Sequence, residues 1–202
     1  MNKVTQQIEP RGLYCAILFL AALTAYSQDD QKIIVGGKPF NRDQIHVYPN
    51  IIPEFKIVFP AKEQEVISVE TIGTLNNENF IVTTWLQTEA DEEGMIYHVV
   101  HHKVPPSVEN ELNGNSKKVK DFLETTVKES LSAFGAIDIK IEEHTYNDYL
   151  GLEFSSGSEF SKLLFIKCRI YKIKSDLFFI CAVDRKTDIN SMDQFLNSFG
   201  LK

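Results

Sequence analysis

Three histidines fall within five residues at Tyr97-His98-Val99-Val100-His101-His102-Lys103. Imidazole is the side chain best suited to holding a transition metal or to changing charge near neutral pH. The spacing limits what they can do together. On a strand His98 and His102 share a face but stand about 13 Å apart, at about 3.3 Å per residue, and His101 points the other way. One ion cannot bridge that distance without a bend or bulge. A single site would need ligands from neighbouring strands, such as His144, Glu142 or Glu153. The plainer reading is of strand histidines that are exposed or hydrogen-bonded. No metal ligand or cofactor is therefore assigned, and His98, His102 and His144 remain the candidates if a metal is bound. A pH-sensing role is the other chemistry open to them.

The second reactive set is Cys168 and Cys181 in KLLFIKCRIYKI-KS-DLFFICAVD. The chain has a third cysteine, Cys15, inside an apolar N-terminal run. There is no Cys-x-x-Cys and no helix N-terminus to lower a thiol pKa, which argues against redox catalysis. Leu164, Ile166, Cys168 and Ile170 alternate with Phe165, Lys167, Arg169 and Tyr171, so the first set is expected in the core and the second on a mixed surface. Leu177, Phe179, Cys181 and Val183 form the apolar face of a second strand. Lys174-Ser175 is a poor two-residue loop, since such loops favour Gly or Asn at positive φ. If it is the loop, Ile173 faces Asp176 and Cys168 faces Cys181 at a non-hydrogen-bonded pair, where Cα atoms approach closest. That spacing suits a disulfide worth about 3 kcal/mol. Two free thiols packing as small hydrophobes are the other reading, favoured in a reducing compartment. In an oxidising one the disulfide Cys168–Cys181 is the better expectation.

Other catalytic patterns are missing. There is no Gly-x-Ser-x-Gly, no His-Glu-x-x-His and no nucleotide-binding glycine loop; Gly36-Gly37-Lys38 lacks the residues that would make it one. Glu142-Glu143 and Asp91-Glu92-Glu93 are expected to be solvated faces. Arg169 with Glu153 fits a structural cross-strand ion pair. Trp85, Tyr97, Tyr146, Tyr149, Tyr171 and Phe178 are more simply core than cavity lining.

The elements that must position these residues follow from the rest of the chain. Its 202 residues suffice for one domain, and a net charge of −7 disfavours nucleic acid and anionic membrane surfaces. Residues 1–27 have the form of a signal peptide. Lys3 and Arg11 precede the apolar run Leu13–Ala25, and Ala25-Tyr26-Ser27 supplies a small-residue cleavage site before Gln28. The run is short for a membrane span, so no span is expected after cleavage. Residues 28–50 form a polar lead-in, with Lys32–Val35 a candidate edge strand, and 51–202 the single folded domain.

Strands are expected at Phe55–Phe59, Val66–Leu75, Phe80–Gln87 and Met95–Val104, the last ended by Pro105-Pro106. Asn76–Asn79 and Ala90–Gly94 separate them. A helix is predicted from Ser116 to Phe134, with Val119, Phe122, Leu123, Val127, Leu131 and Phe134 on one face and Gly135 ending it. Ile137, Ile139 and Ile141 alternate as a half-buried strand. Tyr149–Phe154 is another, and Ser155–Ser158 a turn. A last helix carries Met192, Phe195, Leu196 and Phe199, with Ser191 and Gln194 at capping-box spacing and Gly200 as its stop. The order, strands then helix then strands then helix, predicts an α+β fold in which helices cover an antiparallel sheet.

Several of these stretches together resemble the Mog/PsbP-like proteins, especially small secreted bacterial members. They are Phe55-Lys56-Ile57-Val58-Phe59-Pro60, Gly151-Leu152-Glu153, Arg169-Ile170-Tyr171 with the return Leu177-Phe178-Phe179, and Phe195, Ser198 and Phe199 in the closing helix. The likeness spans about Phe55 to Gly200. Ala61-Lys62-Glu63 stands where Gly-Lys-Pro is usual, and Lys174-Ser175 replaces a Gly-containing turn. The resemblance implies an α/β/α sandwich used for binding or scaffolding, mostly without catalysis, and carries no partner across. The expected function is thus a secreted or periplasmic, non-catalytic module for a protein or a small apolar ligand. A histidine-using metalloprotein or enzyme, or a small lipid carrier, is the alternative.

Overall fold

The computed structural model describes residues 34–35, 38–39, 46–47, 55–60, 66–75, 78–88, 95–132, 136–158, 165–184 and 188–201. The expected signal peptide, the 90–94 loop and the helix stop at Gly135 lie outside them. Twelve strands are described: β1 Ile34–Val35, β2 Lys38–Pro39, β3 His46–Val47, β4 Phe55–Lys56, β5 Ile67–Leu75, β6 Glu78–Thr88, β7 Ile96–Lys103, β8 Ala136–Tyr146, β9 Tyr149–Ser158, β10 Phe165–Ile173, β11 Asp176–Asp184 and β12 Gly200–Leu201. Three helices accompany them: α1 Pro106–Leu112, α2 Ser116–Ser132 and α3 Ile189–Asn197. The class is α+β, as expected.

Eight strands form one antiparallel sheet in the order β3-β5-β6-β7-β11-β10-β9-β8. Seven of its strands form two meanders, β5-β6-β7 and β8-β9-β10-β11, whose last strands pair with each other, and β3 adds to β5 at one edge. The α1–α2 segment lies between the two in the chain. His46 and Val47 pair with Ser68 and Ile67, so the sheet reaches back before residue 51 into the expected lead-in. The expected Lys32–Val35 edge strand is represented by Ile34–Val35, which pairs with Lys38–Pro39 in a separate two-stranded sheet.

Helices cover both faces. On one, Leu123, Val127 and Leu131 of α2 and Val108 and Leu112 of α1 pack on Phe154, Ile166, Cys168, Ile170, Phe179 and Cys181. On the other, Met192, Phe195 and Leu196 of α3 pack with Phe55, Tyr97, Tyr171, Phe178, Ile180 and Phe199. β10 and β11 are therefore sandwiched, and every residue from Leu177 to Asp184 is buried. This corrects the expectation of a mixed surface for the second face of β10: Arg169 and Tyr171 are 7% and 1% exposed. Alternation reveals two faces, but only the position of α3 decides that both are covered.

Several local expectations change for identifiable reasons. Pro105-Pro106 does end β7, but Pro106 also opens α1, where its missing N–H costs nothing. Ser155–Ser158 is strand, not turn, because Ser155, Ser156 and Gly157 pair with Lys167, Ile166 and Phe165. The alternation in β8 is interrupted by a bulge between Ile137 and Lys140, with Asp138 at φ 53°, and Ile139 is left 38% exposed. The cap of α3 is Asp188, whose carboxylate accepts from the Ser191 backbone N–H at 3.2 Å; Ser191 is inside the helix. Gly200 does not stop α3. It starts β12, which pairs with β4 (Gly200 with Lys56, Leu201 with Phe55). Phe55–Phe59 keeps its alternating burial, yet only Phe55 and Lys56 lie in a ladder.

Candidate functional site

The β10–β11 turn is Lys174-Ser175, with Lys174 accepting φ 53°. From it the register runs Ile173–Asp176, Ile170–Phe179 and Cys168–Cys181, as the two-residue loop predicts. The two cysteines are completely buried, their Cα atoms are 4.1 Å apart, and their sulfurs are at disulfide distance. The bridge links neighbouring strands inside the α2-covered core.

His98 is the register partner of Cys181 on the other side, so it shares that interior and is 1% exposed. Burial alone drives its pKa down to about 3, which keeps it neutral. His102 lies on the same face. Its ring sits 4.9 Å from Phe80, and its Nδ1–H donates to the Lys103 carbonyl at 3.0 Å. It keeps some exposed surface but is enclosed by protein on most sides, and burial lowers its pKa to about 4 despite that hydrogen bond. His101, on the opposite face, stacks on Phe178 at 4.7 Å and donates from Nε2 to Asp176 at 2.8 Å.

His144 stands on β8 opposite Gly151, beside Tyr171, whose hydroxyl is 3.1 Å from His144 Nδ1. His98 and His102 thus face α2, whereas His144 meets the α3-side face of β10, so the three candidate ligands do not converge. Among the described residues no group of three His, Cys, Asp or Glu side chains is placed to hold a metal ion.

The residues that do converge lie where β9 and β10 meet α3. Arg169 donates from Nε to Glu153 at 2.7 Å, which realises the expected cross-strand pair. Lys167 Nζ lies 3.3 Å from the other Glu153 oxygen and 2.5 Å from Asp193 on α3. Burial works against charge at Glu153, but Arg169 and then Lys167 outweigh it and hold its carboxyl below the ordinary glutamate value. Burial likewise opposes the Lys167 charge, and Asp193 and Glu153 outweigh it, so its pKa is raised. His144 is pushed down by burial first and by the Arg169 charge second. Burial raises Tyr171.

Close approach makes this seam possible. A Cβ on Gly151 would lie 2.3 Å from the Tyr171 ring and 2.6 Å from the Ile170 carbonyl, so only glycine lets Tyr171 lie across β9. Tyr171 in turn stacks on Phe199 at 5.5 Å and 8°. Beyond it, Ser198 accepts from the Val58 N–H at 2.9 Å, and Tyr146 accepts from the Leu201 N–H at 2.9 Å. Gly151, Glu153, Arg169, Tyr171, Ser198 and Phe199, dispersed in the sequence, assemble into one seam that binds α3, β4 and β12 to the sheet. Asp176 and Asp193 were missed as ion-pair partners. Only their positions, one beside the β10–β11 turn and one on the outer side of α3, hinted at them.

No protein-family model matches this chain, and no curated protein matches it significantly.

Proposed function

We propose that the chain is an exported, non-catalytic binding or scaffolding module of the Mog/PsbP-like kind, whose partner is a protein or a small apolar ligand. The observation that carries this reading is the mutual engagement of the chemistry-bearing side chains. Arg169, Lys167, Glu153 and Asp193 neutralise one another, His101 is held by Asp176 and His144 by Tyr171. A catalytic acid or base needs an accessible face toward a substrate; these groups face each other and join elements together. The helices on both faces, and the gathering of the quoted residues into one seam, fit the architecture that the resemblance implies. A disulfide is compatible with an oxidising compartment. Among the described residues no helix is long and apolar enough to cross a membrane.

The test begins with intact mass of the exported protein, non-reduced, with and without alkylation. A chain starting at Gln28 with Cys168 and Cys181 bridged is expected. A chain starting at Met1 with alkylated thiols would remove export from the reading. The same sample is then titrated with Zn²⁺ and with an apolar fluorescent probe. Saturable Zn²⁺ binding that disappears in His102→Ala or His144→Ala would replace the non-catalytic reading by the metalloprotein one. Saturable probe binding would assign the ligand class as apolar.

A further inference from the structure

β8 is the last strand of the eight-stranded sheet, and among the described residues nothing pairs with its outer edge. We propose that this edge pairs with β8 of a second copy of the chain, antiparallel and centred on Ile141. This goes beyond the binding reading and does not depend on it.

The register fixes which backbone groups face outward. The β8–β9 turn is Asn147-Asp148, both at positive φ, closing on the Tyr146–Tyr149 pair. In such a two-residue hairpin the closing pair is hydrogen-bonded and pairs then alternate. Tyr146, His144, Glu142 and Lys140 therefore bond inward to β9, while Thr145, Glu143 and Ile141 direct their N–H and C=O groups outward. A two-fold antiparallel pairing then centres either on one of those three, at a hydrogen-bonded pair, or on a residue next to them, at a non-hydrogen-bonded pair.

Charge selects among them. Centring on Lys140, Glu142 or Glu143 sets a charge against its own copy, and centring on His144 leaves Lys140 beyond the overlap. Centring on Thr145 pairs His144 with Tyr146 and leaves Lys140 and Glu142 beyond the overlap. Centring on Ile141 puts Lys140 opposite Glu142 of the other copy, twice by symmetry, on one face and at the closer-spaced pair. Both side chains are exposed. Within its own sheet Glu142 is opposite Glu153, whose charge Arg169 and Lys167 already engage, so a lysine from the other copy gives Glu142 a cation of its own. Ile139, one of the few large exposed hydrophobics among the described residues, then stands opposite Glu143 of the other copy. The bulge at 137–140 keeps the ladder short. The association is accordingly expected to be weak and concentration-dependent.

The experiment is sedimentation velocity over a concentration series, at low and high salt. A monomer–dimer equilibrium weakened by salt is expected. Lys140→Glu and Glu142→Lys should each reduce association by about tenfold or more, since each reversal makes both symmetric pairs repulsive. An equal mixture of the two variants should dimerise again, because each copy then presents two like charges at positions 140 and 142 to two of opposite sign on the other. Amide exchange at Ile141 and Glu143 should slow on dimerisation. A monomer at every concentration, or a dimer indifferent to both reversals, overturns the proposal. Both sites are exposed, and unchanged melting curves would show that the variants fold.

Discussion

The two faces of the central hairpin are covered by different means. Under α2 the sheet is apolar, crossed by a disulfide, with one neutral histidine in its interior. Under α3 aromatic rings fill the centre, but the border is a chain of ion pairs from Glu153 to Asp193. The first face is held by area removed from water and a covalent link, which are nearly indifferent to salt. The second adds charge–charge contacts that depend on salt and on protonation. One strand pair thus anchors both a core held by burial and a layer whose attachment responds to solution conditions.

The sharpest way to separate the faces is truncation on the α2 side. Leu123→Ala, at a side chain with no exposed surface, should cost about 3–4 kcal/mol in urea unfolding, by the same amount at low and high salt. Replacing both Cys168 and Cys181 by Ala should cost about 3 kcal/mol on the chain-entropy account, with the core otherwise kept. Equal urea midpoints for this variant and for the oxidised wild type would remove the bridge from the stability of that face.

Glu153→Gln probes the other side. At neutral pH and low salt it should cost about 1–2 kcal/mol, since hydrogen bonds to charged groups are the stronger kind, and less at high salt. Its folded pKa is depressed, so its contribution is present above the ordinary glutamate value and disappears as pH falls through the depressed one. The loss from the substitution should shrink over that same acid window. A pH-independent loss would mean that Glu153 acts through packing.

His98 titrates the α2 face instead. Its folded pKa is about 3, against about 6.5 in an unfolded chain. Its contribution is therefore complete above about pH 6.5 and declines on acidification by about 1.4 kcal/mol per pH unit, as the unfolded chain takes up the proton first. His98→Gln should remove that share of the slope between about pH 6.5 and 5, leaving the share of His102, which burial lowers to about 4, and the Glu153 contribution at lower pH.

How far the sequence foretold this arrangement depends on the scale of the signal. Period-two alternation and a two-residue loop put Cys168 opposite Cys181, with two free thiols as the other reading, because that register is a short-range consequence of one hairpin; Arg169 with Glu153 was legible only as opposite charges on two expected strands. The 3.6-residue stripe of α2 was equally visible. Local punctuation was less secure. Serines at 155–158 look like a turn until two flanking strands pair with them, and Pro106 both ended a strand and began a helix. Val108 and Leu112, four residues apart after that proline, were the signal available for α1. The seam was not visible as a unit. Gly151, Tyr171 and Phe199 meet only through tertiary packing, and nothing in the alternation of β10 indicates that a helix will cover Arg169.

The pairing of β12 with β4 has a consequence for the timing of folding. Phe55 is wholly buried, yet its ladder partner is Leu201 and its ring neighbours include Phe178 and Phe199, all made long after it. While the chain emerges from the ribosome, this early phenylalanine can meet only Trp85 and His101 of its ring neighbours, and its ladder partner comes far later. The α3 face can close only once translation has passed Leu201. Until Gly200 and Leu201 are made, Lys56 and Phe55 lack their ladder partners, and the α3 face is the layer that must wait for them.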